Sequence, residues 1–496
     1  MSALAFLGLC MLLLMIGGIF IGFPISFTLL FFALTFGYFG LGHVVFDLAY
    51  FQTIGMMKEE LLAAVPLFIF MGFLTEQAGL MERLFSAFRM ILAPIRGAMF
   101  AVVILTATIF AMATGIVGAA VTVLGIMASP IMIKSGYDAK LSAGCITAGG
   151  TLGILIPPSV MLIVMGPVIG VSVAELYSAA FGPGFLLAGI YLAYLMIRAH
   201  LNPALGPPVP VEERIHSMPV MIKEIIVGVV PLFLLIGAVL GSMLAGLATP
   251  TEASAIGALG AALLSLAYGK MTYAGLKQAV LSTTATSSMV LFLAVTSNIF
   301  GAVFARLGTA GWITETLVAL PVPPFVMLLM VLVLIFLLGW PFEWPAIILV
   351  FLPIFYPVVD ALKPQFSAML GIAPDMFMVW FGATVAVVMQ TAFLSPPVAM
   401  SAYYLKQVVK EWSLATIYKG MFEFMILQVV CITLIILFPK IVTTFPEQVR
   451  AESSAIKVEQ VDDSMNKLEP DTPMEQPEEP EEEKKGEEAG KDDAKK

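Results

Sequence analysis

Two Pro-Pro pairs lie deep in apolar sequence. Pro157-Pro158 sits in Leu155-Ile156-Pro157-Pro158-Ser159, and Pro396-Pro397 sits in Leu394-Ser395-Pro396-Pro397-Val398. Proline lacks an N–H and its ring clashes with the preceding turn, so each pair breaks a helix. In hydrocarbon every backbone N–H and C=O needs a partner. A break there is tolerated where unwound backbone lines a cavity. Freed carbonyls can then coordinate a cation, and half-helix N-termini can face an anion. Polar side chains flank both breaks: Thr147, Thr151 and Ser159 at the first, Gln390, Thr391, Ser395 and Ser401 at the second. The plain alternative is a packing kink whose hydroxyls bond back to their own helix.

Charges inside apolar segments are few and costly. Glu343, in Gly339-Trp340-Pro341-Phe342-Glu343-Trp344-Pro345, could bind a cation or titrate, or it could be a gate residue bonded to nearby backbone N–H groups. Glu252 follows Thr249-Pro250-Thr251, which reads as a helix start with Thr251 as N-cap and Glu252 favoured by the dipole. Arg306, Glu315 and Glu175 are expected to snorkel near membrane ends. Gly144, Gly149, Gly150 and Gly153 permit close backbone approach, as ordinary small-residue packing also would. Enzyme signatures are missing: there is no HExxH, GxSxG, Walker loop or zinc-type Cys/His spacing. Cys10, Cys145 and Cys431 lie far apart in apolar runs, and His43, His200 and His216 have no partner at metal-ligand spacing. The chain reads as a non-enzyme without cofactor, and with no nucleotide motif its transport must draw on an ion gradient or another subunit.

The elements that must carry these residues are membrane helices. Of 496 residues, 60% are hydrophobic and 12% charged. Water-soluble domains typically carry about 25% charged residues, so here the lipid bilayer is the solvent. The net charge of −9 resides in residues 446–496, which hold 17 acidic and 8 basic residues, leaving the rest neutral. That segment is Pro-, Glu- and Lys-rich and is expected to be a disordered acidic tail. Nothing in this pattern suggests nucleic-acid binding. The N-terminal apolar stretch from Leu4 to about Gly42 lacks a basic n-region and suits two spans joined near Gly22-Phe23-Pro24 rather than a signal peptide.

A span needs ~20 apolar residues. Spans are expected at 4–22, 25–41, 60–77, 141–170, 182–200, 219–243, 252–268, 279–303, 375–409 and 419–444. Residues 98–134 and 324–360 are each about twice a span and are interrupted at mid-length, by Ala113-Thr114-Gly115 and by 339–345. Each is expected to be a re-entrant helical hairpin, with two plain spans and a tight turn as the alternative. Amphipathic collars are expected around 81–93, 172–179, 271–278 and 411–418. Residues 1–200 then comprise three spans, hairpin 98–134, broken helix 141–170 and span 182–200. Residues 201–218 are a Pro-rich linker, and 219–445 repeat the order with hairpin 324–360 and broken helix 375–409. Each half crosses an odd number of times, so the repeat is inverted. The fold class is therefore an all-α polytopic membrane protein of about ten transmembrane helices plus two re-entrant hairpins. The positive-inside rule places the N-terminus and the acidic tail outside, with thirteen basic residues on cytoplasmic segments against four outside.

The residues also carry a resemblance. Leu62-Ala63-Ala64-Val65-Pro66-Leu67-Phe68-Ile69-Phe70-Met71-Gly72, Gly149-Gly150-Thr151-Leu152-Gly153-Ile154-Leu155-Ile156-Pro157-Pro158-Ser159, Pro250-Thr251-Glu252-Ala253 and Leu394-Ser395-Pro396-Pro397-Val398 resemble the large membrane subunit of tripartite ATP-independent periplasmic (TRAP) transporters. The resemblance runs from about residue 5 to 445. It implies an elevator-type secondary transporter in a bacterial inner membrane, working with a small four-helix membrane subunit and a periplasmic solute-binding protein. It also implies sodium-driven uptake of a small organic anion, with protons as the other candidate ion. Ion- and solute-binding positions carried over are Ala113, Thr114, Gly115, Gly150, Thr151, Pro157, Pro158 and Ser159, and Trp340, Glu343, Pro345, Thr391, Ser395, Pro396 and Pro397. The chain departs from the family at both tips. Thr114-Gly115-Ile116 stands where Ser-Gly-Ser is usual, and Trp344-Pro345 where Asp-Pro is usual. Ser395 replaces a common Thr, and 361–374 is longer than usual. A stand-alone ion-coupled transporter of a related inverted-repeat family is the nearest rival, and a lipid-modifying membrane enzyme a remote one.

Overall fold

A computed structural model describes residues 2–208, 218–396 and 399–451. Among them are helices and no strands, and ten helices are long and apolar enough to cross a membrane. In chain order, α1 (Ala3–Ile21) and α2 (Ile25–Leu41) form an apolar pair, followed by α3 (Val44–Met57), α4 (Ala64–Gln77) and α5 (Leu80–Leu92). The first hairpin is α6 (Ala98–Thr114) and α7 (Val117–Lys134), and the first broken helix is α8 (Ala139–Leu155) and α9 (Val160–Ile169), bent by 47°. Helices α10 (Val173–Leu201), α11 (Met218–Leu244), α12 (Pro250–Ala267) and α13 (Tyr273–Arg306) follow, then α14 (Thr309–Val318).

The second hairpin descends as α15 (Pro324–Leu338). It returns as a short α16 (Trp344–Ala346), a five-residue π-helical segment (Ile347–Phe351) and α17 (Leu352–Ala361). After α18 (Lys363–Leu370), the second broken helix is α19 (Pro374–Gln390) and α20 (Met400–Val408), then α21 (Leu414–Leu437) and a last helix over 440–451.

Packing sorts these helices into two groups. α4 lies against α12 and α13, α5 against α11, and α13 against α2 and α3. The hairpins and broken helices associate mainly with one another: α8 with α6, α7 and α21, α7 with α20, and α19 with α10. Glycines set the closest approaches. A Cβ on Gly144 would meet the Phe424 ring at 2.7 Å, and one on Gly72 would sit 2.5 Å from the Thr114 carbonyl oxygen. The first seals α8 on α21, and the second lets α4 press against the first hairpin's tip.

Several expectations are corrected. The collars at 172–179 and 271–278 are not separate elements, because α10 runs unbroken over 29 residues and α13 over 34. No residue between collar and span demands non-helical backbone, and Pro183 removes only one helical N–H inside α10. The collar at 411–418 likewise enters α21 from Leu414. The collar at 81–93 is a helix of its own, α5.

Three short helices, α3, α14 and α18, occupy segments read as connections. The N-cap of α12 is Thr249, not Thr251. The Thr249 hydroxyl accepts from the Glu252 N–H while the Glu252 carboxylate accepts from the Thr249 N–H at 2.8 Å, a full capping box. Thr251 instead donates to the Glu60 carbonyl at 3.1 Å.

The tail boundary at 446 also moves, because the helix over 440–451 continues past it. Arg450 there donates to Glu175 at 2.6 Å and Asp375 at 2.5 Å, so Glu175 is paired rather than merely snorkelling. The start of the linker is anchored as well: Gly97 N–H donates to Gly206 O at 2.9 Å and Asp138 N–H to Leu205 O at 3.0 Å. Its residues 209–217 lie outside the described residues.

Candidate functional site

The first tip forms because Gly115 takes the left-handed conformation, φ +59°, that ends α6 and lets α7 start two residues later. A Cβ there would lie 3.7 Å from the Pro158 carbonyl oxygen and 3.8 Å from the Val160 nitrogen. The tip therefore sits directly on the first break. Ala113 and Thr114 are buried, and the Thr114 hydroxyl donates to Phe110 O at 3.3 Å. At the break, Ile156 and Ser159 are extended and Pro157 and Pro158 are buried between them. Thr151 donates to Ala148 O at 2.8 Å, and Ser159 donates to Ile154 O. Tyr177 of α10 donates to Ser159 O at 3.2 Å. Gly150 faces α7, where an added Cβ would lie 3.0 Å from the Val121 nitrogen, so its position is one of close helix packing.

The second tip meets the second break in the same way. A Cβ on Gly339 would lie 3.1 Å from the Ala392 Cβ. Thr391 donates to Val388 O at 2.7 Å and Ser395 to Thr391 O at 2.6 Å. Pro345 is buried, Trp340 is 42% exposed and Pro396 is exposed, so the last two turn away from the buried centre. Pro397 lies outside the described residues. The back-bonding of the flanking hydroxyls is what a packing kink would show. It uses each hydroxyl's proton and leaves the oxygen lone pairs free to accept or coordinate. Gln390, fully buried beside Thr391, and Ser401, in the first turn of α20, have no side-chain hydrogen-bond partner among the described residues.

Both tips and both breaks open on one cavity of about 150 Å³. Its lining includes Gly115 to Gly118, Val160, Glu343 to Pro345, and Met400 with Tyr404. Met289 and Val290 of α13 and Ile69 of α4 form the opposite wall. The N-terminal ends of α7, α9, α16 and α20 thus converge here. None of their N-caps, Ile116, Ser159, Glu343 and Ala399, makes a side-chain capping bond. A helix N-terminus carries roughly half a positive charge, so the four supply about +2 against the one carboxylate of Glu343. Glu343 does not bond its own helix's first turn, unlike the gate reading, and lies half-buried at the cavity wall. Among the described residues, no group of three or more His, Cys, Asp and Glu could hold a metal.

Sequence reading placed two opposed sites, each of a tip and a break. It missed that the four elements share one chamber with a wall from α4 and α13. Thr286, Met289 and Val290 carry no motif, and only the three-dimensional packing singles them out.

The fold and this cavity define a polytopic membrane transporter. The family model for the tripartite ATP-independent periplasmic transporter DctM component matches residues 9–441, and the chain belongs to that family. It is similar to the C4-dicarboxylate TRAP transporter large permease protein DctM of Pseudomonas aeruginosa, 30% identical over 354 residues, 70% of this chain and 77% of the relative. It is also similar to the sialic acid TRAP transporter large permease protein SiaM of Vibrio cholerae, 27% identical over 439 residues, 87% of this chain and 96% of the relative. The relatives are transporter subunits, which agrees with the non-enzyme reading. In fold it resembles the YdaH transporter of Alcanivorax borkumensis, with a TM-score of 0.55 and 17% identity over 80% of this chain and 88% of that one.

Proposed function

We propose that this large permease subunit carries a small organic anion inward across the inner membrane, using a sodium gradient, or a proton gradient in its place. A periplasmic solute-binding protein delivers the solute, and a small four-helix membrane subunit completes the complex. The observation that carries this reading is the convergence of four uncapped helix N-termini on one cavity. Such ends favour negative charge, and in transporters built from broken helices they face anionic substrates while unwound carbonyls take the coupling ion. The names of the relatives, a C4-dicarboxylate and a sialic acid permease, support an organic acid.

The two packing groups support an elevator motion, in which the hairpins and broken helices slide against a frame of α1 to α5 and α11 to α13 as an inverted repeat. Oxygen-rich positions at Thr151, Pro158, Thr391 and Ser395 are the ion ligands in this reading. The distribution of basic residues supports a periplasmic N-terminus and acidic tail in this reading.

The test is uptake into proteoliposomes holding both membrane subunits. Uptake should require the cognate binding protein and an inward sodium gradient. Uptake that persists without the binding protein overturns the tripartite reading, and uptake that follows a proton gradient alone overturns sodium coupling.

A further inference from the structure

A second cavity, of about 490 Å³, is lined by the next turns of α13 beyond the tip cavity. The α13 wall passes from Met289 and Val290 at the tips to Ala294, Ser297, Asn298 and Gly301 in this chamber, and Leu62, just ahead of α4, also lines it. Across from α13 stand α9 and α17, the outer arms of the first broken helix and the second hairpin. Ser297 is 2% exposed, lines the chamber, and its hydroxyl has no hydrogen-bond partner among the described residues. An unpaired buried hydroxyl is unfavourable, so the site calls for water or a ligand. The chamber is large enough for either.

Other acceptors face it. Pro167 in α9 and Pro357 in α17 line the chamber and lie inside their helices. Pro357 lacks the N–H that would bond the carbonyl of Pro353, four residues earlier and also in the lining. Glu59 adds a carboxylate at the start of the α4 arm.

We propose that this chamber is a water-filled receiving site for a hydroxylated organic acid. Ser297 and the Asn298 amide donate to the acid's carboxylate. The Pro353 carbonyl, the Asn298 oxygen and Glu59 accept from its hydroxyls. The solute then moves along α13 to the tip cavity. The proposal rests on the transporter reading, with the N-terminus and the Arg306 end of α13 both on the outer side.

Thiol accessibility tests it without the natural solute. Ser297→Cys is introduced after replacing Cys10 by alanine; Cys145 and Cys431 are buried. Gly301→Cys is a second variant, because a side chain there meets nothing within 4 Å. Phe292→Cys, on an exposed apolar face of α13, is the control. The membrane-impermeant anion methanethiosulfonate ethylsulfonate, applied to intact spheroplasts, should modify Ser297→Cys and Gly301→Cys at least ten times faster than the control. With the cognate binding protein added, D-gluconate should slow modification of Gly301→Cys, which keeps Ser297, several-fold. Reaction only after permeabilisation, or at the control's rate, overturns the outer, water-filled chamber. Modification that gluconate leaves unchanged overturns the hydroxylated-acid site. Failure of the unmodified complex to take up any binding-protein solute under a sodium gradient overturns the transporter reading instead, whatever the labelling shows.

Discussion

At the scale of single residues, two positions at the tip cavity stand out for different reasons. Gly115 needs a left-handed backbone and stands against Pro158. Gly115→Val adds a β-branched side chain at positive φ, a strain of at least ~1–2 kcal/mol. The variant should insert in the membrane yet lose most uptake, measured as initial rate per mole of reconstituted protein; retained uptake would show that the tip does not need this conformation. Glu343 is the one carboxylate among four helix N-termini. Glu343→Gln removes that charge while keeping shape. If Glu343 carries a coupled proton, the pH dependence of uptake flattens in the variant. An unchanged profile with a changed apparent affinity assigns it to solute binding instead. The two breaks and their hydroxyls were legible because Pro-Pro in apolar sequence has few physical explanations. Gln390 and Ser401 were visible only as polar neighbours, and their unpaired burial emerges from packing.

Individual helices explain where sequence reading stopped. Both hairpins and both broken helices were legible from apolar runs interrupted at mid-length, since Gly115 and the prolines mark the interruptions. The junctions within α10 and α13 were not, because a helix continues through polar residues unless backbone geometry forbids it. At ~1.5 Å per residue, the 34 residues of α13 span roughly 50 Å, beyond a hydrocarbon core of ~30 Å. The N-cap was misplaced by two residues because Thr249 and Thr251 both suit one, and Pro250 at the first helical position decides for Thr249.

One interaction ties elements that the sequence keeps far apart. Glu423 of α21 is held by Lys140 of α8 and accepts from Tyr194 of α10 at 2.7 Å, while Arg198 donates to Tyr194 at 2.7 Å. Its side chain is 19% exposed. Glu423→Ala should lower stability by ~1–3 kcal/mol, seen as a lower Tm in detergent, and Glu423→Gln by less, because an amide oxygen still accepts from Tyr194. Equal losses would show that packing, not hydrogen bonding, sets the effect.

For the whole molecule, the division into two packed groups has a topological counterpart. A periplasm-specific reporter enzyme fused after Lys496 should be active, and one fused within the 81–96 region inactive. The reverse result would invert the protein and, with it, the side on which the larger chamber opens. The two halves are alike in order but not in detail. The first hairpin's second arm, α7, is plain α-helix, whereas the second returns through a π-helical segment at Ile347–Phe351. Such a segment accommodates a surplus residue within an α-helix. It lies between the Glu343 tip and α17. The two tips are therefore not interchangeable gears: one is carried on plain α-helix, the other on a helix whose first turns are wound wider.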